Sequence, residues 1–263
     1  MDFGLKGKLA VVSGSTAGIG LAIATTLASE GAKVVVNGRT EARVNVALEK
    51  IRHHHKTADV QGIAADLGTV SGVETFVKQI PHADVLINNL GIFEPKPFAE
   101  ISDADWLRFF EVNVLSGVRL VRHYLPGMLK KDWGRIIFIS SESAVQIPAE
   151  MIHYGMTKTA QIAVARGLAE SVAGTGVTVN SVLPGPTASE GVTGFLDSMA
   201  KQRDLSTADI EKEFFKSVRP SSLLKRFETP EEIAAVVAFV ASAQSAAISG
   251  AAVRAEGGVI RSI

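Results

Sequence analysis

Leu9-Ala10-Val11-Val12-Ser13-Gly14-Ser15-Thr16-Ala17-Gly18-Ile19-Gly20 reads as a short apolar strand that breaks into a glycine turn and restarts as a helix. Gly14 permits the tight turn, Gly18 lets the backbone approach a ligand, and Gly20 lets the helix lie close to the sheet. A helix starting here aims unpaired N–H groups and the positive end of its dipole at the turn, a setting suited to a pyrophosphate. The chain holds 24 glycines, so three within seven residues also read as an ordinary turn. Their position directly after a first strand favours the ligand reading.

Outward from this stretch, short β-branched runs alternate with longer helical patterns. Strands are expected at Leu9 to Val12, Lys33 to Val36, Val60 to Ala64, Val85 to Ile87, Arg135 to Ile139, Val177 to Val182 and Ala252 to Arg254. Helices are expected at Ile19 to Ser29, Glu41 to His54, Gly72 to Gln79, Asp103 to Lys130, Ile152 to Ala173 and Pro230 to Ala241. The pattern predicts an α/β, doubly wound Rossmann-type fold, a seven-stranded parallel sheet with helices on both faces. No repeat or linker divides the 263 residues, so 1–263 is read as one dinucleotide-binding and catalytic domain. The exception to alternation is an insertion at about 190–219, where Val192, Phe195, Leu196 and Met199 recur at helical spacing. It is expected to form a lid.

Lys plus Arg number 27 and Asp plus Glu number 27, so no net field draws the chain to nucleic acid or an anionic membrane. Cysteine is absent, which excludes disulfides and thiolate chemistry. The longest apolar run, from Ile233, falls short of the roughly 20 residues a spanning helix requires. With no signal-like start, the expectation is a soluble, cytoplasmic protein without membrane contact. His53-His54-His55 reads as a solvated helix end complementing the dipole, because consecutive helical residues point in different directions and do not chelate one ion easily. No metal is expected.

Further motifs sit where strands end. Asn88-Asn89-Leu90-Gly91 follows the fourth strand, where an Asn pair is either a turn former or a ligand contact. Asp66-Leu67 follows the third, where Asp also suits a helix start. Tyr154 and Lys158 lie four apart on a helix, which places a phenol beside an ammonium. A phenol with a pKa near 10 is a poor base unless a cation favours phenolate. Ser141 lies just beyond the fifth strand, and Asn113, a mediocre helix former, falls inside a helix. Asn37-Gly38-Arg39, about twenty residues past the glycine turn, lacks the carboxylate that binds a ribose 2′-hydroxyl in NAD-specific sites. Arg39 instead offers a planar fork suited to a 2′-phosphate.

Together these motifs resemble the short-chain dehydrogenase/reductase family, with its Gly-x3-Gly-x-Gly turn and Tyr-x3-Lys pair. Leu90 replaces the family's usual Ala, Ser13 its frequent Thr, and Ala17 a basic residue found in many NADP-dependent members. The resemblance implies hydride transfer between a nicotinamide and an alcohol or ketone, with catalytic Asn113, Ser141, Tyr154 and Lys158. Tyr154 is then the acid and base, and Ser141 orients the substrate oxygen. Lys158 bonds the ribose and lowers the Tyr154 pKa, while Asn113 kinks its helix and holds a water beneath Lys158.

The implied cofactor contacts are Gly14, Ser15, Gly18, Ile19, Gly20, Arg39, Asp66, Leu67, Asn89, Gly91, Tyr154, Lys158, Pro184, Gly185, Thr187 and Ser189. Ser189 stands where a Thr is usual. NADP(H) is favoured on Arg39, with NAD(H) the other choice. Phe195, Met199, Phe214 and Phe215 suggest an apolar wall, with Lys201, Arg203, Lys212 and Lys216 around it; these rings either face the cleft or pack onto the domain. The two longest helices suggest a homo-oligomer, a tetramer or dimer. A catalytically silent dinucleotide sensor or a structural oligomer is the competing reading.

Overall fold

The computed structural model describes residues 2–203 and 205–263, except for the side chains of 195–199, 201 and 202. In chain order the elements are β1 (Leu9–Val12), α1 (Gly18–Ser29), β2 (Lys33–Gly38), α2 (Glu41–His54), β3 (Val60–Ala64), α3 (Val70–Gln79), β4 (Val85–Asn88), α4 (Asp103–Phe110), α5 (Ser116–Lys130), β5 (Gly134–Ile139), α6 (Ile152–Ser171), β6 (Val177–Pro184), α7 (Glu190–Arg203), α8 (Thr207–Ser217), α9 (Pro230–Ala241) and β7 (Ala252–Ala255). The strands form one parallel sheet in the order β3-β2-β1-β4-β5-β6-β7. The order in which strands are added reverses between β1 and β4, which opens a crevice at their carboxyl ends.

Successive residues of each strand serve opposite cores. Ala10, Val12, Val34, Val36, Val85 and Ile87 pack with Ile23, Leu27, Ile51 and Val237 of α1, α2 and α9. Val11, Val35, Leu86 and Phe138 pack with Phe76, Leu120 and Met128 of α3 and α5. Helices on both sides explain why the strands read as unbroken apolar runs. Tyr124 is buried in the second core and donates its hydroxyl to the Ile80 carbonyl at 2.8 Å.

The helix expected from Asp103 to Lys130 is interrupted by a π-turn at Glu111–Leu115, a distortion common at functional sites. α3 starts at Val70, two residues early, because Thr69 caps it by accepting from the Gly72 N–H. The insertion folds as α7 and α8, bridged by Arg203 and Glu213 at 2.9 Å. Phe214, Phe215 and Phe227 stack on one another with centroids 5.0–5.1 Å apart. Phe215 and Phe227 are buried and Phe214 is half-buried; these rings pack on one another and on Ile210 in a cluster of their own, and do not form an open apolar wall. The side chains of Phe195, Leu196, Met199 and Lys201 lie outside the described residues. Arg52, His53 and His54 occupy the last turn of α2. Among the described residues no His, Asp and Glu group could hold a metal ion, and no helix is long and apolar enough to cross a membrane.

Candidate active site

The glycine turn lies over the crevice. Gly14 and Gly18 adopt φ of 60° and 53°, left-handed values that a side chain would strain. Ala17, at the N-cap of α1, supplies no side-chain hydrogen bond, which leaves the first N–H groups of the helix to a ligand. A Cβ on Gly18 would stand 3.1 Å from the Ser189 Cβ, so Ser189 overhangs the turn. These features fit a dinucleotide pyrophosphate.

Other residues expected to touch the cofactor also brace the turn through their side chains. The Ser15 side chain is buried; its hydroxyl donates to the Val12 carbonyl at 2.7 Å and accepts the Asn37 N–H at 2.9 Å. Asn89 donates its amide to the carbonyls of Ser13 and Gly14 at 3.0 and 2.9 Å. A Cβ on Gly20 would strike that amide and the Gly14 carbonyl at 2.5 Å each, so the third glycine makes room for this brace. Leu67 belongs to the core, which turns its side chain away from the cleft, and Ile19 packs against the other core. Asp66 is exposed and accepts the Gly68 N–H at 3.0 Å, while Thr69, not Asp66, caps α3. Arg39 is exposed at the end of β2.

Asn113 sits buried in the π-turn. Its Oδ1 accepts the Ile92 N–H at 2.8 Å, and its Nδ2 donates to the Ile92 carbonyl and to Thr157 Oγ1, each at 3.0 Å. One side chain thus clamps the segment after Gly91 to α6. Gly91 lies against Lys158 and Asn113: a Cβ there would come within 3.4 Å of the Lys158 Nζ. Lys158 donates to the Ile139 carbonyl at 2.9 Å and to Gln161 Oε1 at 3.2 Å. Gln161 in turn donates to the Asn113 carbonyl at 2.6 Å. Gln161 thus joins the Lys158 ammonium to the Asn113 carbonyl directly.

Tyr154 lies one turn before Lys158, whose Nζ is 5.6 Å from the phenol ring centre. The exposed ring of Phe93 meets Tyr154 edge-on at 6.4 Å. Burial pushes the Tyr154 phenol up to about 12, against the opposing influence of the Ser141 hydroxyl. Burial also pushes the Lys158 ammonium down to about 7. In the chain by itself desolvation thus outweighs the lowering influences of the Ser141 hydroxyl and of Arg219.

Residues 8–200 match the family model for short chain dehydrogenases. The chain belongs to the short-chain dehydrogenase family. It is an oxidoreductase that moves a hydride between a nicotinamide cofactor and a small-molecule alcohol or ketone. It is 49% identical to the uncharacterised oxidoreductase YvaG of Bacillus subtilis (strain 168), over the full length of both chains. It is 46% identical to YvrD of the same organism, again over the full length of both. Among solved structures it resembles L-sorbose reductase from Gluconobacter frateurii, complexed with NADPH and L-sorbose, with a TM-score of 0.92, 32% identity and complete coverage of both chains.

Two features of this short-chain dehydrogenase escaped the sequence reading. Glu142, next to Ser141, is buried against Arg219 from beyond α8; their separation of 77 positions leaves no local signal. Glu228 lies under the Pro184-Gly185 turn, where its Oε2 accepts the Gly185 N–H at 3.0 Å, and Gly185 also donates to the Ala255 carbonyl at 3.0 Å. Thr187 Oγ1 donates to the Gly185 carbonyl at 2.9 Å.

Burial pushes the Glu228 carboxyl up to about 7, helped by the charges of Glu232 and Glu256 and opposed by the Gly185 N–H. A carboxyl raised in the folded state binds its proton more tightly there than when unfolded. Its stabilisation is therefore full below the ordinary carboxylate range and is lost as pH rises through about 7. Glu228→Gln keeps an acceptor for Gly185 but does not ionise. Urea unfolding at pH 5 and pH 8 should show the variant gaining on the parent as pH rises, by up to about 3 kcal/mol. A gain confined to low pH would contradict this.

Proposed function

We propose that this enzyme is an NADP(H)-dependent ketone reductase and alcohol dehydrogenase in which Tyr154 passes the proton and Ser141 holds the substrate oxygen. The observation that carries it is the convergence of Ser141, Tyr154 and Lys158, with Asn113 clamping α6 beneath them, at the carboxyl edge of β5 beside the glycine cradle. When bound, the nicotinamide accepts or gives the hydride, and its oxidised ring adds positive charge near the phenol. Tyr154 gives a proton to the carbonyl oxygen in reduction and takes one in oxidation. Lys158 bonds the nicotinamide ribose, and Gln161 and the Ile139 carbonyl hold its ammonium in place. Gly185 and Thr187, braced by Glu228, support the carboxamide side, and Ser189 faces the phosphates.

The chain acts as one domain, with α7 and α8 as its substrate lid. Exposed Leu107 and Phe110 on α4 support a homo-oligomer, which light scattering would test. L-sorbose reductase binds NADPH and L-sorbose, and the self-packed Phe214 and Phe215 remove two supports for a strictly apolar pocket. The test of the reading is NADPH oxidation with a panel that runs from apolar ketones to polyhydroxy ketones. Binding without turnover on every member would favour a dinucleotide sensor.

Arg39 supports NADP(H): it makes no ion pair or hydrogen bond among the described residues, and no carboxylate stands at Gly38. Arg39→Leu should lower the preference for NADPH over NADH by about 10- to 150-fold, the worth of one charge-assisted bond. Steady-state kinetics with both cofactors checks this, and an unchanged ratio removes Arg39 from the phosphate site. The single substitution is the cleaner test, because a Cβ at Gly38 would lie 2.4 Å from Thr16 Cγ2.

A further inference from the structure

The Ser141 hydroxyl has one proton and two lone pairs to place. It donates to Glu142 Oε2 at 3.2 Å and accepts the Ser143 N–H at 3.1 Å. One lone pair is left on the side of the Tyr154 phenol, with which this hydroxyl interacts, so toward the cleft Ser141 is an acceptor. The other oxygen of Glu142 accepts the Arg219 Nε–H at 2.7 Å. Arg219 also donates through Nη1 to Glu150 Oε1 at 3.2 Å and to its own neighbour, the Val218 carbonyl, at 3.0 Å. Glu142 is 3% exposed and Arg219 7%, which separates this pair from the chain's exposed ion pairs. A buried ion pair is a weak source of net stability, since desolvation offsets most of the attraction.

We propose that Glu142 and Arg219 are positioning residues for the reaction, a buried pair that sets the direction of the Ser141 hydrogen bond and ties it to the end of the lid. The inference rests on the reading of Ser141 and Tyr154 as the reacting pair. An alcohol substrate can donate to Ser141 as it stands. A carbonyl oxygen needs a donor, so Ser141 must turn its proton away from Glu142. Arg219 draws charge from that carboxylate and weakens its hold on the proton. Arg219 directly follows α8 and donates its N–H to the Phe214 carbonyl at 3.0 Å. Phe214 is stacked in the aromatic cluster that anchors α8. A chain of contacts therefore runs from the lid helix through Arg219 and Glu142 to the Ser141 hydroxyl.

The pair also bears on the phenol. The charged groups facing Tyr154 are Glu142, Arg219 and Lys158: Glu142 favours the protonated phenol and Arg219 the phenolate, and Lys158 lies over the ring. Removing either partner of the pair should move the Tyr154 titration in opposite directions.

The experiment measures kcat, the KM for NADPH and for the best ketone, the pH dependence of alcohol oxidation, and thermal stability. It compares the parent, Glu142→Gln, Arg219→Met, Arg219→Lys, the double variant Glu142→Gln/Arg219→Met, and Tyr154→Phe. Glu142→Gln should lower the kcat of alcohol oxidation, which uses Ser141 as the acceptor that Glu142 makes it, by about 10- to 150-fold, the worth of a hydrogen bond to a charged group, with the NADPH KM unchanged. Its acid limb should move to lower pH and that of Arg219→Met to higher pH, with Arg219→Lys recovering part of the rate. The double variant leaves no buried charge unpaired, only the half-exposed Glu150 losing a partner, and guards against single variants that do not fold. It should fold, stay slow and show an acid limb near the parent's. Parental kcat and pH limb in the folded variants, with only stability reduced, would overturn the proposal. Parental turnover in Tyr154→Phe would instead overturn the underlying reading, so the two failures are distinguishable.

Discussion

Tyr154→Phe should leave NADPH affinity unchanged and lower kcat by about 10²- to 10⁴-fold, the usual contribution of a general acid-base group. The substitution keeps the ring, and with it the edge-on contact to Phe93, and deletes only the hydroxyl. Among the described residues no second phenol, thiol or imidazole stands ready to replace it: His153, the neighbour in sequence, is buried against Trp106 and Phe109, and Lys158 is engaged by Ile139 and Gln161. The phenol's side-chain hydrogen-bond partner is the Ser141 hydroxyl, which keeps its bonds to Glu142 and Ser143 in the variant, so thermal stability should hardly move. Burial raises the phenol to about 12 in the chain alone. The oxidation rate of the parent should therefore rise toward alkaline pH, and that limb should vanish in the variant. Turnover near the parental value would remove Tyr154 from the mechanism.

Lys158→Met should weaken NADPH binding by about 10- to 150-fold, the worth of a charged hydrogen bond to the ribose. It should also lower kcat, because the cation that favours phenolate is gone. The loss has a structural part. The Ile139 carbonyl and Gln161 Oε1 lose a buried donor, and unsatisfied buried acceptors cost about 1–3 kcal/mol each. Titration calorimetry separates the affinity from the rate, and a melting curve separates both from stability. An NADPH affinity equal to the parent's would deny Lys158 its place at the ribose, even where the rate falls.

The doubly wound sheet was legible because its causes are local. Val34-Val35-Val36 and Ile136-Ile137-Phe138-Ile139 are strands covered on both faces, and such burial writes itself into sequence as uninterrupted apolar runs. The glycine turn was legible for a similar reason, since φ values of 60° and 53° at Gly14 and Gly18 restrict which residue can stand there. Tyr154 and Lys158 were legible as a pair because one helical turn separates them.

The sequence by itself determined the order of strands and helices along the chain, the glycine turn, and the residue types available for proton transfer. Tertiary structure alone decided which of those residues face the cleft. Ser15, Leu67 and Asn89 were themselves expected to contact the cofactor, and their side chains are engaged by Val12 and Asn37, by the core, and by Ser13 and Gly14. Tertiary structure alone also joined Gln161 to Asn113 and Arg219 to Glu142. The physical reason is range. Backbone conformation and face of burial are set within a turn or two of chain, whereas hydrogen bonds and desolvation depend on groups that meet only after distant segments pack.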